Sequence, residues 1–379
     1  MRNEANLERG TGNAKSKEAI LRVPSSDLLT SDAPQSAIRN PQSISASALI
    51  VVLWVIGLLS ILVSSFTFDA HVEARITSYY RKRTKAEYLA RSGMEIAKLL
   101  MMQSAEIKKN KPGIEEKKEE WWYGDAKRLS EGMAIHGLVH ELGEGVVTLD
   151  ITPEPARKNV NLLKEEDWER ILEVAGVPEE MWPELVESFY DWIDKDDVAR
   201  IDGAETEDYY ATLEPPYHAK NGPLDTVEEL LLVKGFNRTI LFGGVIETGF
   251  EDKEPIEISG ISDLLTTYGD RKVNVNAASQ RVLMTLPGVD ESVLAAIIEE
   301  REGWVDDEGS KVDSSFVNVD DFLARVSGLP LSIKDYIATD SAIYRITSVG
   351  IVHGVRKEVW CIGEYAGKNL TILRWREQE

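Results

Sequence analysis

Residues 47–66 read SALIVVLWVIGLLSILVSSF, from Ser47 to Phe66, and no charged residue lies between Arg39 and Asp69. About 20 apolar residues at 1.5 Å rise cover a hydrocarbon core about 30 Å thick, so the stretch reads as a membrane-spanning helix. It is a poor secretory signal peptide. The apolar run and the arm before it are too long, and no small-residue cleavage site follows Phe66. Arg39 precedes the run, while Asp69, His71, Glu73 and Arg75 follow it. The slight basic bias favours an N-in, C-out orientation.

Working outward, the helical pattern does not stop at Phe66. From Asp69 to Met102 there is no Pro, and the only Gly is Gly93. Ile76, Tyr80, Leu89, Ile96 and Leu100 recur at roughly helical spacing. One helix from Ser47 to near Ser104 would be about 85 Å long. Upstream, residues 1–40 hold six basic and five acidic residues with Pro24, Pro34 and many Ser and Asn, the composition of a disordered leader.

The bulk numbers exclude several function classes. A formal charge of −22 argues against a sequence-independent grip on nucleic acid. Cys361 is the only cysteine, which rules out an intramolecular disulfide and a Cys-rich zinc site. Nine Trp and twelve Tyr fit a folded protein.

Beyond the helix, residues 108–120 (KKNKPGIEEKKEE) read as a solvated loop, and Trp121, Trp122 and Tyr123 as its anchor. Gly145 to Pro153 alternates as a strand. His136 and His140 are four apart, the spacing of two ligands on one helix face. Gly137 stands where a metalloprotease motif needs Glu, so they read as surface histidines.

A unit beginning RKNVN at Arg157 returns as RKVNVN at Arg271, each followed by a helix, a Gly-Val turn and a second helix. This is an internal repeat of a helix–turn–helix unit. Leu286-Pro287-Gly288-Val289 resembles a helix–hairpin–helix turn, which can hold DNA phosphate on backbone N–H groups. Asp290 and Glu291 at the following helix start would repel phosphate, so a packing or protein-contact role is expected.

Between the repeats, Asp191 to Tyr210 (DWIDKDDVARIDGAETEDYY) holds eight carboxylates and two basic residues. Hard oxygen donors around a Gly turn, without His or Cys, suit Ca²⁺. The EF-hand pattern fails, because Val198 and Ala199 stand where an oxygen ligand and a Gly belong. The flanking aromatics (Phe189, Tyr190, Trp192, Tyr209 and Tyr210) suggest a loop held against the body. Paired carboxylates could also act as acid and base, although no substrate signature accompanies them.

Asn221-Gly222-Pro223 is a strong turn, and Thr226 with Glu229 forms a candidate capping box. Asp306 to Asp321 reads as an acidic surface excursion. Runs starting at Tyr344, Glu358 and Leu370 alternate as an antiparallel meander that closes the chain.

From Ala46 to Glu377 these pieces together resemble the K-type minor pseudopilins of type II secretion systems. The resemblance rests on the apolar start, DWIDKDD with DGAETEDYY, AKNGPLDTVEELLLVKG, VNVNAAS with LPGV, and the terminal ILRWRE. Pilin-like precursors are cut just ahead of such an apolar run, usually after Gly; here the junction is Ala46/Ser47. Counting from Ser47, the fifth residue is Val51, where ordinary pilin-like subunits carry a Glu that pairs with a neighbour's amino terminus. Its absence is expected of a subunit at a filament end. The departures from the family are Ala46 itself and an unusually long leader.

The resemblance implies an α/β (α+β) pilin-like fold, a long N-terminal helix on an antiparallel sheet with an inserted α-helical domain that contains helix–hairpin–helix-like repeats. The expected divisions are a leader at 1–46, a transmembrane part at 47–68, and the rest of the helix with the first strands at 69–158. The insertion follows at 159–270, and a second hairpin with the closing strands at 271–379. Calcium is implied, with ligands among Asp194, Asp196, Asp202, Glu205, Asp208 and Asn221. So is a non-enzymatic place at the tip of a pseudopilus, in the bacterial inner membrane with the C-terminal domain in the periplasm. The implied partners are I- and J-type minor pseudopilins, then the H-type and major pseudopilins and the prepilin peptidase, with no nucleic acid. The rival readings are a DNA-uptake pseudopilin and a membrane-anchored carboxylate hydrolase.

Overall fold

A computed structural model of the chain describes residues 44–110, 113–114, 117–246, 255–303, 314–367 and 369–378. Residues 1–43 of the expected leader, and residues 306–313 of the acidic excursion, lie outside the described residues. The chain divides into two units, residues 1–70 and residues 71–379. In the first, helix α1 (Ile44–Lys108) begins, with Ala46 and Ser47 in its first turn. Its apolar side chains from Leu49 to Phe68 are exposed, as lipid-facing residues would be, and Val51 is among them.

In the second unit α1 buries a narrow stripe of Ala86, Ala90, Met94, Ala97, Leu100 and Met101. Steps of three and four residues put these on one helix face. The stripe differs from the expected one: Ile76 and Tyr80 are 50% and 57% exposed. The buried face is built on small residues that let a sheet approach, and Ala scores too low in hydrophobicity to mark it by periodicity.

Helix α2 (Tyr123–Ser130) adds Tyr123, Ala126 and Leu129 to this core. Trp122 is buried beside them, while the more exposed Trp121 stacks on His140 with ring centroids 4.6 Å apart. Strands β1 (Ile135–Leu142) and β2 (Gly145–Pro153) follow. His136 and His140 therefore sit on a strand rather than a helix, and the four-residue spacing has no ligand geometry behind it.

The chain then leaves the sheet until β3 (Ile343–Val352), β4 (Val355–Ala366) and β5 (Asn369–Gln378) complete it. Strand order is β1-β2-β3-β4-β5, every neighbour antiparallel. Because β2 pairs directly with β3, everything between Pro153 and Ile343 is one insertion. The expected downstream edge at 270 is corrected to the start of β3, which places the second hairpin inside the insertion. The physical reason is a single apolar core running from Val160 to Ile337, to which both hairpins contribute.

The insertion contains α3 (Glu165–Ala175), α4 (Trp182–Ile193), α5 (Arg238–Phe242), α6 (Gln280–Met284), α7 (Glu291–Glu302) and α8 (Val319–Arg325). Its two halves are built alike. Lys158–Asn159 pairs in parallel with Leu265–Thr266, and Val273–Asn274 with Ile337–Ala338. Asn159 Oδ1 accepts from the Asn161 N–H at 3.1 Å, and Asn274 Oδ1 from the Asn276 N–H at 3.0 Å. Asn161 then clasps both backbone groups of Leu224, and Asn276 those of Phe316. The Asn-x-Asn repeat is thus the hydrogen-bonding clasp of each half.

One local expectation fails. Thr226 precedes a 3₁₀ helix (Val227–Leu232) without a side-chain cap. The Glu229 carboxylate is taken instead by Lys220 at 2.9 Å, by the Asp225 N–H at 3.0 Å and by the Trp192 indole at 3.2 Å.

Candidate functional site

The acidic loop starts where α4 ends. Asp191, wholly buried on the last turn, is its organiser: its carboxylate accepts from the backbone N–H groups of Arg200 (3.1 Å) and Ala204 (2.8 Å). Gly203 lies against this carboxylate so closely that a Cβ there would collide with Asp191 Oδ2. Below the loop, Tyr210 packs edge-on against Trp192 at 5.1 Å and beside Tyr217 at 5.3 Å. Lys234 Nζ donates to the carbonyls of Asp202 and Gly203, and its backbone N–H donates to the Tyr210 hydroxyl. The aromatic flanks hold the loop against the body.

Within this frame several oxygen atoms are buried without a hydrogen-bond donor: both Glu205 carboxylate oxygens, Asp194 Oδ1 and Asn221 Oδ1. A buried carboxylate with no donor costs free energy unless something positive meets it. Burial, above all, pushes Glu205 up to about 7, and Asp191, Asp194 and Asp197 add repulsion. Asp194 is raised too, by burial first and then by Asp196.

The remaining candidates are differently placed. Asp196 Oδ1 accepts from the Val198 N–H at 3.0 Å. Asp202 and Asp208 are exposed, Asp202 with φ of +67°. Asn221 Nδ2 donates to Asp197 Oδ1 at 3.0 Å, which turns its own Oδ1 the other way. Among the described residues no three His, Cys, Asp or Glu close around one point as a finished metal cage. The donors are nevertheless of one kind. Acceptor-only oxygens without nitrogen or sulfur fit a hard cation. Sequence reasoning missed Asp191 and Asp197 as parts of the site. Both lie in the quoted run, but only the fold separates the organiser from the unpartnered oxygens.

At the second hairpin, Asp290 caps α7, its Oδ1 accepting from the N–H groups of Ser292 and Val293, both at 2.9 Å. Its hydrogen bonds, that to the Ser292 hydroxyl foremost, hold its carboxyl below the usual range. The donors that a nucleic-acid phosphate would need are occupied by the chain's own anion.

With this geometry in view, residues 147–241 match the family model described as type II secretion system (T2SS), protein K. The match takes in most of β2, the first half of the insertion and the whole acidic loop. Among solved structures, the chain is similar to a chain of the GspK-GspI-GspJ complex from the enterotoxigenic Escherichia coli type 2 secretion system. The TM-score is 0.53 with 16% identity over 81% of this chain and 99% of that one. At that identity the likeness speaks for the fold, a pilin-like long helix and antiparallel sheet with helical additions. A comparison with curated proteins gave no match.

Proposed function

We propose that the chain is a minor pseudopilin at the tip of a type II secretion pseudopilus, where it joins I- and J-type minor pseudopilins to initiate or cap the filament that exports folded proteins. The observation that carries this is the protein K match over residues 147–241. Val51 supports a terminal position, since a filament-end subunit has no use for the carboxylate that pairs with a neighbour. The similar complex contains GspI and GspJ by name, which supports the choice of partners.

On this reading α1 spans the inner membrane once through Ser47–Phe66, with the C-terminal domain in the periplasm. The prepilin peptidase cuts at Ala46/Ser47, and the H-type and major pseudopilins lie below. The helix–hairpin–helix-like repeats serve packing and protein contact, and the subunit is structural rather than catalytic. Calcium, held by Asp194, Glu205 and Asn221 with Asp196, Asp202 and Asp208 in the same loop, neutralises the buried carboxylates and fixes the loop. The test is a strain lacking the chain. Folded secreted proteins should accumulate in the periplasm, and the intact gene should restore export. Unchanged export would overturn the reading.

A further inference from the structure

On the sheet face opposite α1, β3, β4 and β5 place Arg345, Trp360, Arg374 and Arg376 along one wall of a cleft of about 240 Å³. The insertion supplies the other wall, including Arg157 and Thr226. Arg345 and Arg374 both lie over the Trp360 ring, at 5.3 and 5.6 Å from its centroid.

The charges in the cleft do not balance. Glu154 is wholly buried and already saturated: Arg345 donates to both of its oxygens at 2.9 Å, Thr266 to one at 2.7 Å, and Arg157 lies 3.5 Å away. Two guanidiniums therefore share one carboxylate. Asp263 is held by Arg281, with two bonds of 2.6 Å. Asp225, whose carboxyl feels the charge of Arg374, is bonded to Lys220 at 2.8 Å. Among the described residues no ion pair forms at Arg374 or Arg376. Arg157 is held below its ordinary value, by burial first and, against Glu154's pull, by the charge of Arg345. Glu228 also lines the cleft, so four guanidiniums face three carboxylates there, and one of the three is held by Arg281; a chain of net charge −22 has thus concentrated an excess of positive charge in one recess.

We propose that this cleft binds a small, multiply charged oxyanion of the phosphate or sulfate class, which bridges Arg374 and Arg376 on the sheet to Arg157 on the insertion. Size supports the choice. The cleft holds several waters at ~30 Å³ each, yet falls below the ~300 Å³ at which drug-sized ligands begin. Guanidinium forks fit such anions in bidentate geometry. The site is independent of the acidic loop and of the secretion reading.

The test is calorimetric titration of the full chain in non-ionic detergent and calcium-free buffer, with sodium phosphate, sodium sulfate, or sodium chloride at equal ionic strength. Phosphate and sulfate should give saturable one-site binding that chloride does not. Arg374→Gln with Arg376→Gln should weaken it at least about tenfold. These half-buried and exposed β5 positions lie outside the Glu154 cluster, so the melting temperature in chloride should hold and report a folded variant. A titration with glycerol phosphate separates the sources: affinity kept supports an esterified phosphate, affinity lost the free anion. Heats indistinguishable from chloride, or a folded double variant that binds like the parent, would overturn the proposal.

Discussion

Gly350 on β3 packs against the backbone of α1 at Ala86. A Cβ on Gly350 would collide with the Ala86 carbonyl oxygen and stand 2.6 Å from the Ala90 nitrogen. No rotamer change relieves a clash with helix backbone, so Gly350→Ala should push α1 off the sheet. The expected loss is about 1–3 kcal/mol, the usual cost of overpacking. Gly124→Ala, within helix α2, meets no atom within 4 Å and should not lower stability. Denaturant unfolding of the two variants checks the pair.

The carboxylates of Glu154 and Asp167 set an acid limit on stability. Burial alone would raise Glu154, but hydrogen bonds from Arg345 and the charge of Arg157 outweigh it and hold its pKa below the usual value. Asp167 is likewise lowered against its burial, by Lys158 and Arg271. A depressed folded-state pKa stabilises above the unfolded value and loses that contribution as pH falls through the folded one. Melting temperature should therefore be flat with respect to these groups above about pH 5 and drop below about pH 4. Glu154→Ala strands two guanidiniums and should cost about 3 kcal/mol near neutral pH.

The duplicated clasps make a matched pair of variants. Asn276→Ala leaves the backbone groups of Phe316 unmet in a buried place, and removes bonds to the Glu131 and Thr339 carbonyls as well. Asn161→Ala does the same to Leu224 in a more exposed place. Both should destabilise, by about 2–3 and about 1 kcal/mol respectively. Chemical denaturation should rank them in that order.

The acidic loop gives a ligand prediction. With millimolar Ca²⁺ the chain should melt higher than in chelator, by an amount that grows as the logarithm of the ion concentration. Glu205→Gln should remove most of that rise while leaving the chelator value no lower, because it replaces a buried, unpartnered carboxylate. An equal melting temperature with and without the ion would remove calcium from the account.

Much of this was legible in the residues, for identifiable reasons. The helix at Ser47–Phe66 was legible because a long uncharged apolar run favours one, and the closing strands because alternation marks the core face. The repeat was visible as Asn-x-Asn, although nothing local says that each pair clasps a residue tens of positions away. The face of α1 was misread because Ala86, Ala90 and Ala97 bury little area, and it is their smallness that admits the sheet. The insertion's downstream edge was hidden because β2 pairs with β3 across about half the chain, a non-local contact without a local signal. At the acidic loop the composition pointed to a set of hard oxygen donors. Only the fold showed that Asp191 spends its oxygens on backbone N–H groups while Glu205 keeps its own unmet.

The central claim is assembly with I- and J-type minor pseudopilins, and the most direct measurement is native mass spectrometry of the three proteins co-expressed and purified through a tag on this chain. The account predicts one species holding a single copy of each, and its loss when the I-type partner is withheld or replaced by an unrelated pilin. Recovery of the tagged chain alone, under conditions where the other two are folded and present, would contradict it.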